Sequence, residues 1–157
     1  AIYLGGLNYV DKERIGVFVW SYGGYMSSLC ITKGADVFNS AIAVAPVTNW
    51  RFYDNIYTER FMRTPKDNGE NYDINSPINH VEKLKGNFLL IHGTADDNVH
   101  FQNSMEMVSE MVSKNKEFDF FAYPNKNHGI YGGYTRVHLY NKMTNFLTNH
   151  LLKWSNI

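Results

Sequence analysis

The residues most able to do chemistry sit at three loop positions. The first is Trp20-Ser21-Tyr22-Gly23-Gly24, where a run rich in β-branched and aromatic residues gives way to a helix-like pattern. A serine on a sharp strand-to-helix turn projects its hydroxyl above the carboxyl edge of a sheet, and the N–H of the next residue can face an oxyanion. A serine followed by two glycines is common in ordinary turns, so the motif alone carries little. Two further loops give it weight: Asp96 and Asp97 in His92-Gly-Thr-Ala-Asp-Asp-Asn-Val99, and His128 in Asn127-His128-Gly129. The chain order serine, acid, histidine, each after a strand, suits nucleophilic acyl transfer. His128 would take the serine proton, and an aspartate would hold the imidazole in one tautomer. Spacing does not choose between Asp96 and Asp97.

Those loops need a sheet to bring them together, and strand-like and helix-like segments alternate along the chain. Arg14 to Trp20, Ser40 to Ala45, Asn87 to His92 and Phe118 to Tyr123 are short apolar runs that read as strands buried on both faces. Between them, Met26, Leu29 and Cys30 suggest a helix closed by Gly34. Tyr53, Tyr57 and Phe61 are spaced four apart on one face of a helix over Trp50 to Arg63. Asn68 to Ser76 reads as polar and irregular. Ser76-Pro77 looks like an N-cap and first-turn proline leading a short helix to Lys85, ended by Gly86. Phe101, Met105, Val108 and Val112 define a further helical face, as do Tyr140, Met143, Leu147, Leu151 and Trp154. Helical crossovers between two-faced apolar strands predict an α/β protein with about four parallel strands and flanking helices. In a parallel sheet the three loops share one edge.

The composition is compatible with that. A chain of 157 residues with 44% hydrophobic and 15% aromatic residues can bury a substantial core, so wholesale disorder is excluded. Fifteen basic residues balance fifteen acidic ones, which removes the electrostatic footprint of a nucleic-acid binder. No apolar run approaches the roughly eighteen residues of a membrane span. The N-terminus, Ala1-Ile-Tyr-Leu-Gly-Gly-Leu, has no initiator Met and no signal-peptide pattern, and it reads as an interior cut from a longer chain. The single Cys30 excludes an internal disulfide and reads as a small buried hydrophobe.

Taken together, several runs resemble the dipeptidyl peptidase IV group of the prolyl oligopeptidase family, which includes fibroblast activation protein. They are Trp20-Ser-Tyr-Gly-Gly-Tyr25, Ala43-Val-Ala-Pro-Val47, Trp50, Tyr53-Asp54, Tyr57-Thr-Glu-Arg60, Ile91-His-Gly-Thr-Ala-Asp-Asp-Asn-Val-His-Phe101 and His128-Gly129. The resemblance runs from about residue 14 to 152, and Tyr123-Pro with Asn127-His-Gly-Ile-Tyr-Gly-Gly133 looks bacterial. It implies Ser21 as nucleophile, Asp96 as orienting acid, His128 as base and the Tyr22 N–H as an oxyanion donor. It also implies that Val47, Trp50, Tyr53, Tyr57 and Val99 line a pocket for a penultimate proline or alanine, with Asn98 on the substrate carbonyl. Aromatic walls suit a flat apolar ring. Without the resemblance, Trp50, Tyr53 and Tyr57 read equally well as a core-facing stripe.

The implied protein is a serine exopeptidase releasing Xaa-Pro or Xaa-Ala dipeptides through an acyl-enzyme, without metal or other cofactor, located in the periplasm or at the cell surface. Residues 1–157 would be the C-terminal part of its α/β-hydrolase domain. The β-propeller and first hydrolase strands would lie outside the chain, leaving the piece alone weak or inactive. Alternatives are another hydrolase with this triad, such as an acylaminoacyl peptidase or esterase, or an inactive homologue serving as an interaction domain. The last draws on Val19, which stands where the family's serine motif begins with Gly. A β-branched side chain at a close backbone approach is expected to strain the elbow. The elbow strand is expected to have one unpaired flank, covered by the N-terminal segment or paired in a homo-oligomer. His80, His92, His100, His138 and His150 read as structural or surface residues, Met105, Met107 and Met111 as packing, and Lys83, Lys85, Lys114 and Lys116 as solvated charge.

Overall fold

The computed structural model describes residues 1–152. Four strands, β1 (Gly16–Trp20), β2 (Ser40–Val44), β3 (Asn87–Gly93) and β4 (Asp119–Tyr123), form one sheet in the order β1-β2-β3-β4. Every pair is parallel, with Val19 opposite Ala43 and Ala43 opposite Leu90. Short runs of Val, Ile, Leu and Ala favour this arrangement because both faces of a parallel sheet are covered.

The two-residue alternation of the strands divides the core in two. Ile42, Val44, Leu89 and Ile91 pack with Leu139, Met143 and Phe146 of the last helix, α6 (Thr135–Leu151). Ala41, Ala43, Phe88 and Leu90 face the other way. They meet Ile31 of α2 (Tyr22–Thr32), Met107 and Met111 of α5 (Gln102–Ser113), and Val81 with Leu84. α1 (Ile2–Gly5) is a single turn before the sheet.

Several local expectations are corrected. The aromatic helix over Trp50 to Arg63 is two pieces, a 3-10 turn Trp50–Phe52 and α3 (Asn55–Met62), separated at Tyr53, whose backbone is extended. The Asp54 carboxylate accepts from the Tyr57 N–H and starts α3 afresh, a stronger signal than the four-residue aromatic spacing. The polar stretch taken as irregular is α4 (Pro65–Ile74), kinked at Asn68. Thr64 caps it, Pro65 occupies its first position, and buried Tyr72 anchors it by donating to the Arg63 carbonyl. Pro77–Lys83 is a 3-10 helix with Ser76 at its N-cap position and Pro77 in its first turn, as expected, but the Ser76 hydroxyl donates to the Thr48 carbonyl and makes no capping bond.

Gly34 does not close α2 in a left-handed conformation. Lys33 caps that helix, and Gly34 is small because a Cβ there would lie 2.8 Å from the Cys30 carbonyl oxygen. The buried face of α5 is Ser104, Met107 and Met111, with Val112 out in solvent. On α6 it is Leu139, Met143 and Phe146, with Tyr140 half exposed; Trp154 lies outside the described residues.

Among the described residues β1 and β4 are the edge strands, each paired on one side only. The N-terminal turn packs on Lys12 and Ile15 and leaves Phe18 and Val19 40% and 41% exposed, so this segment does not cover the β1 edge.

Candidate active site

Ser21 follows β1 directly and opens α2. Its backbone lies at φ 60°, ψ −122°, a strained conformation that turns the chain sharply and lifts the hydroxyl over the sheet's carboxyl edge. The Ser21 N–H donates to the Val44 carbonyl, which holds the turn on β2. Tyr22 is the first helical residue, so its N–H has no acceptor within the helix and is free for an oxyanion.

The elbow forms with Val19 in place. Val19 lies directly against Gly23, where a Cβ would come 1.8 Å from Val19 Cγ1. The missing side chain of Gly23 accommodates Val19. A Cβ on Gly24 would in turn meet the Val44 carbonyl oxygen at 2.9 Å, so these two glycines allow α2 to sit against both β1 and β2.

The acid and histidine loops are stitched together. The Ala95 N–H donates to the Lys126 carbonyl, the Thr94 N–H to the Tyr123 carbonyl, and the Asn125 N–H to the Thr94 hydroxyl. A Cβ on Gly93 would lie 2.2 Å from the Lys126 carbonyl oxygen, so only glycine permits this approach. Across the site, Trp20 Nε1 donates to the His128 carbonyl at 3.0 Å and ties the histidine loop to β1.

These supports bring three side chains into line. Ser21 Oγ lies 2.9 Å from His128 Nε2, and His128 Nδ1 lies 2.7 Å from Asp96 Oδ2. A proton on Nδ1, donated to the carboxylate, leaves Nε2 as acceptor for the serine hydroxyl. Of the two acids it is Asp96, 5% exposed, that meets His128, while Asp97 is exposed to solvent. Burial pushes the Asp96 carboxyl up, but hydrogen bonds from His128, His92 and the Asn98 N–H outweigh it and hold the group well below the usual carboxylate range. It is therefore an anion at neutral pH.

Beside Ser21 lies a cavity of about 420 Å³ lined by Tyr22, Tyr25, Trp50, Tyr57, Phe61 and Met62, among others. The Trp50 and Tyr57 rings are stacked with centroids 5.8 Å apart, and Tyr25 meets Trp50 edge-on at 5.2 Å. Of the six positions expected to contact substrate, Trp50 and Tyr57 are on this wall. Val47 and Val99 are fully buried behind it, packed with Tyr25, Trp50 and Tyr72. Tyr53 braces Tyr57 edge-on and donates its hydroxyl to Asn98 Oδ1 at 2.7 Å. Burial and the neighbouring Asp54 push the Tyr53 phenol up, which keeps it a donor. Asn98 lines a separate polar cleft with Arg51, Asp54, Asp97 and His100, joined to the cavity wall through the contact of Tyr53 with Tyr57.

Sequence reasoning missed Trp20 as a support, Tyr25 and Phe61 as cavity walls, and His92 and Ser104 beneath the acid. The aromatic run could have suggested Phe61. Nothing in local spacing identifies the others.

A serine hydroxyl, an imidazole and a buried carboxylate in hydrogen-bonded sequence, above a parallel α/β sheet, define the serine-nucleophile hydrolase class. Comparison with known proteins narrows this. The prolyl oligopeptidase family model matches residues 1–153, and the chain belongs to that family. It is 46% identical over 144 residues to mouse (Mus musculus) prolyl endopeptidase FAP, and 42% identical over 144 residues to cat (Felis catus) dipeptidyl peptidase 4. In each case the match takes in 90% of this chain and 19% of the relative, so the chain spans about a fifth of the length of these proteins. The crystal structure of Porphyromonas gingivalis dipeptidyl peptidase 4 superimposes with a TM-score of 0.92 at 50% identity, over 94% of this chain and 21% of that one.

Proposed function

We propose that the protein containing this chain is a serine exopeptidase that releases N-terminal Xaa-Pro or Xaa-Ala dipeptides, with residues 1–157 forming part of its catalytic domain. The observation that carries this reading is the Ser21–His128–Asp96 alignment beside an aromatic cavity suited to a flat proline ring. Ser21 Oγ attacks the scissile carbonyl while its proton passes to His128 Nε2, and the Tyr22 N–H receives the developing oxyanion. Collapse of the tetrahedral intermediate breaks the C–N bond, and the same proton goes to the leaving amine. Water, deprotonated by His128, then hydrolyses the acyl-serine ester and restores the hydroxyl. Asp96 stays ionised throughout and holds the Nδ1–H. Trp50 and Tyr57 bury the penultimate side chain, and Asn98, held by Tyr53, meets a substrate carbonyl.

The open flank of β1 supports a second part of the reading: in the working protein this edge is paired, by a further segment or a second copy. A soluble monomer of the whole protein with β1 in solvent would refute it. The periplasm or cell surface is the proposed location. The structure adds only that, among the described residues, no helix is long and apolar enough to cross a membrane.

The test is labelling of Ser21 by a fluorophosphonate, paired with hydrolysis of Gly-Pro and Gly-Ala anilides by the whole protein, using Ser21→Ala as control. Labelling with dipeptide release supports the proposal. Labelling with ester but no dipeptide turnover makes it a different hydrolase, and no labelling of folded protein makes it a binding module.

A further inference from the structure

The Asp96 carboxylate offers about four lone-pair directions, and four donors meet them. Its Oδ1 accepts the N–H groups of Asn98 at 3.0 Å and Val99 at 2.9 Å. Its Oδ2 accepts His128 Nδ1 at 2.7 Å and, at 3.1 Å, a second imidazole nitrogen, His92 Nε2. His92 is the penultimate residue of β3, fully buried, with Phe101 edge-on to its ring.

The surroundings of His92 select one tautomer. Nε2 faces two oxygens that cannot donate, Asp96 Oδ2 and, at 2.8 Å, the Val99 carbonyl, so the proton belongs on Nε2. Nδ1 is then an acceptor, and the Ser104 hydroxyl, in the first turn of α5, donates to it at 2.7 Å. Every polar atom of a neutral imidazole is satisfied in that one state. Burying such a ring is costly unless its hydrogen bonds are made. An apolar ring would pack here without that cost, but it would leave Asp96 Oδ2 and the Val99 carbonyl each short of a donor.

We infer that His92, as its Nε2–H tautomer fixed by Ser104, is a positioning residue for Asp96: it shares Oδ2 with His128 and clamps the Asp96–Val99 loop through the Val99 carbonyl. The inference rests on Asp96 being the orienting carboxylate of the proposed site. With both carboxylate oxygens saturated, Asp96 cannot swing, and the direction in which it holds His128 Nδ1–H is set from the protein interior. The same clamp fixes Val99, which packs behind Trp50 in the cavity wall.

The test uses the whole protein with ¹⁵N-labelled histidine, alongside His92→Phe, His92→Gln and Ser104→Ala. NMR should find His92 protonated at Nε2 alone and a low-field proton from the His128–Asp96 hydrogen bond. His92→Phe should weaken that resonance and lower both kcat and the rate of fluorophosphonate labelling by about 10- to 100-fold, as loss of outer supports does in other preorganised sites, with KM nearly unchanged. His92→Gln, whose amide can still donate to Oδ2, should recover most of the rate, and Ser104→Ala should fall between. Should His92→Phe fail to fold, the Gln and Ala variants carry the test. Protonation of His92 at Nδ1, or wild-type labelling and an unchanged low-field proton in folded His92→Phe or Ser104→Ala, would overturn the inference. The tautomer and the resonance are read without substrate. A protein that shows both yet releases no dipeptide would therefore refute the peptidase reading and leave this one standing.

Discussion

The two halves of the candidate site are built differently. Asp96 and His128 stand on loops after β3 and β4, stitched by two backbone hydrogen bonds and one to the Thr94 hydroxyl, with the carboxylate saturated from the interior. Ser21 stands on the elbow after β1, whose outer flank is open and whose Phe18 and Val19 reach solvent. The acid–base half is therefore cross-linked loop to loop by this chain, although β4, like β1, pairs on one side only among the described residues. The nucleophile half is held on one side, by Val44, and across the site by Trp20. Preorganisation is strongest where charge must be maintained, at Asp96, and weakest at the neutral serine, where a partner on the β1 flank would add support.

The sharpest break in the first half is Asp96→Asn. It should lower turnover about 10⁴-fold, because an amide can no longer require the Nδ1–H tautomer of His128. The same variant tests the charge. A carboxyl held below its unfolded value of about 3.9 adds stability at higher pH, and that contribution is lost as pH falls from roughly 4 through the folded value. The denaturant midpoint should therefore fall as pH drops below about 4 for the parent and fall less for Asp96→Asn.

In the second half, Gly23→Ala should cost about 1–3 kcal/mol by overpacking against Val19 and should slow labelling of Ser21. Adding Val19→Gly to that variant should restore both, while Val19→Gly alone should give no gain in rate. An additive double mutant would show that the two residues do not fit one another. Trp20→Phe keeps an aromatic ring, though a smaller one, but loses the hydrogen bond to the His128 carbonyl, worth about 0.5–1.5 kcal/mol, and should slow labelling about threefold to tenfold. The smallest effect is at the cavity. The Thr58 hydroxyl is buried without a partner among the described residues, so Thr58→Val should change the melting midpoint little or raise it slightly.

The sheet was legible because each strand is a short apolar run between turn signals, and the triad because its order along the chain maps onto loops at one sheet edge. Asp96 and Asp97 were indistinguishable because the choice depends on which carboxylate meets His92 and His128, contacts made in three dimensions. α4 was missed because its stability comes from the Thr64 cap and buried Tyr72 more than from an apolar stripe. The face of α5 was misplaced because Ser104 is buried for hydrogen bonding, and a count of apolar positions passes over it. The fit between Val19 and Gly23 was not legible because family comparison treats positions singly, whereas these two are in contact across the elbow.

The separations along the chain also set an order of assembly. Asp96 and His128 are 32 residues apart and meet when β4 pairs with β3, whereas Ser21 and His128 are 107 residues apart. Closing the longer loop costs more entropy, and contacts of high separation form late in folding. During synthesis the serine is made first, and its hydrogen bond to His128 forms only once the histidine loop has emerged. On the proposed reading, a nascent or partly folded chain holds an unactivated hydroxyl, and labelling of Ser21 would report completed folding.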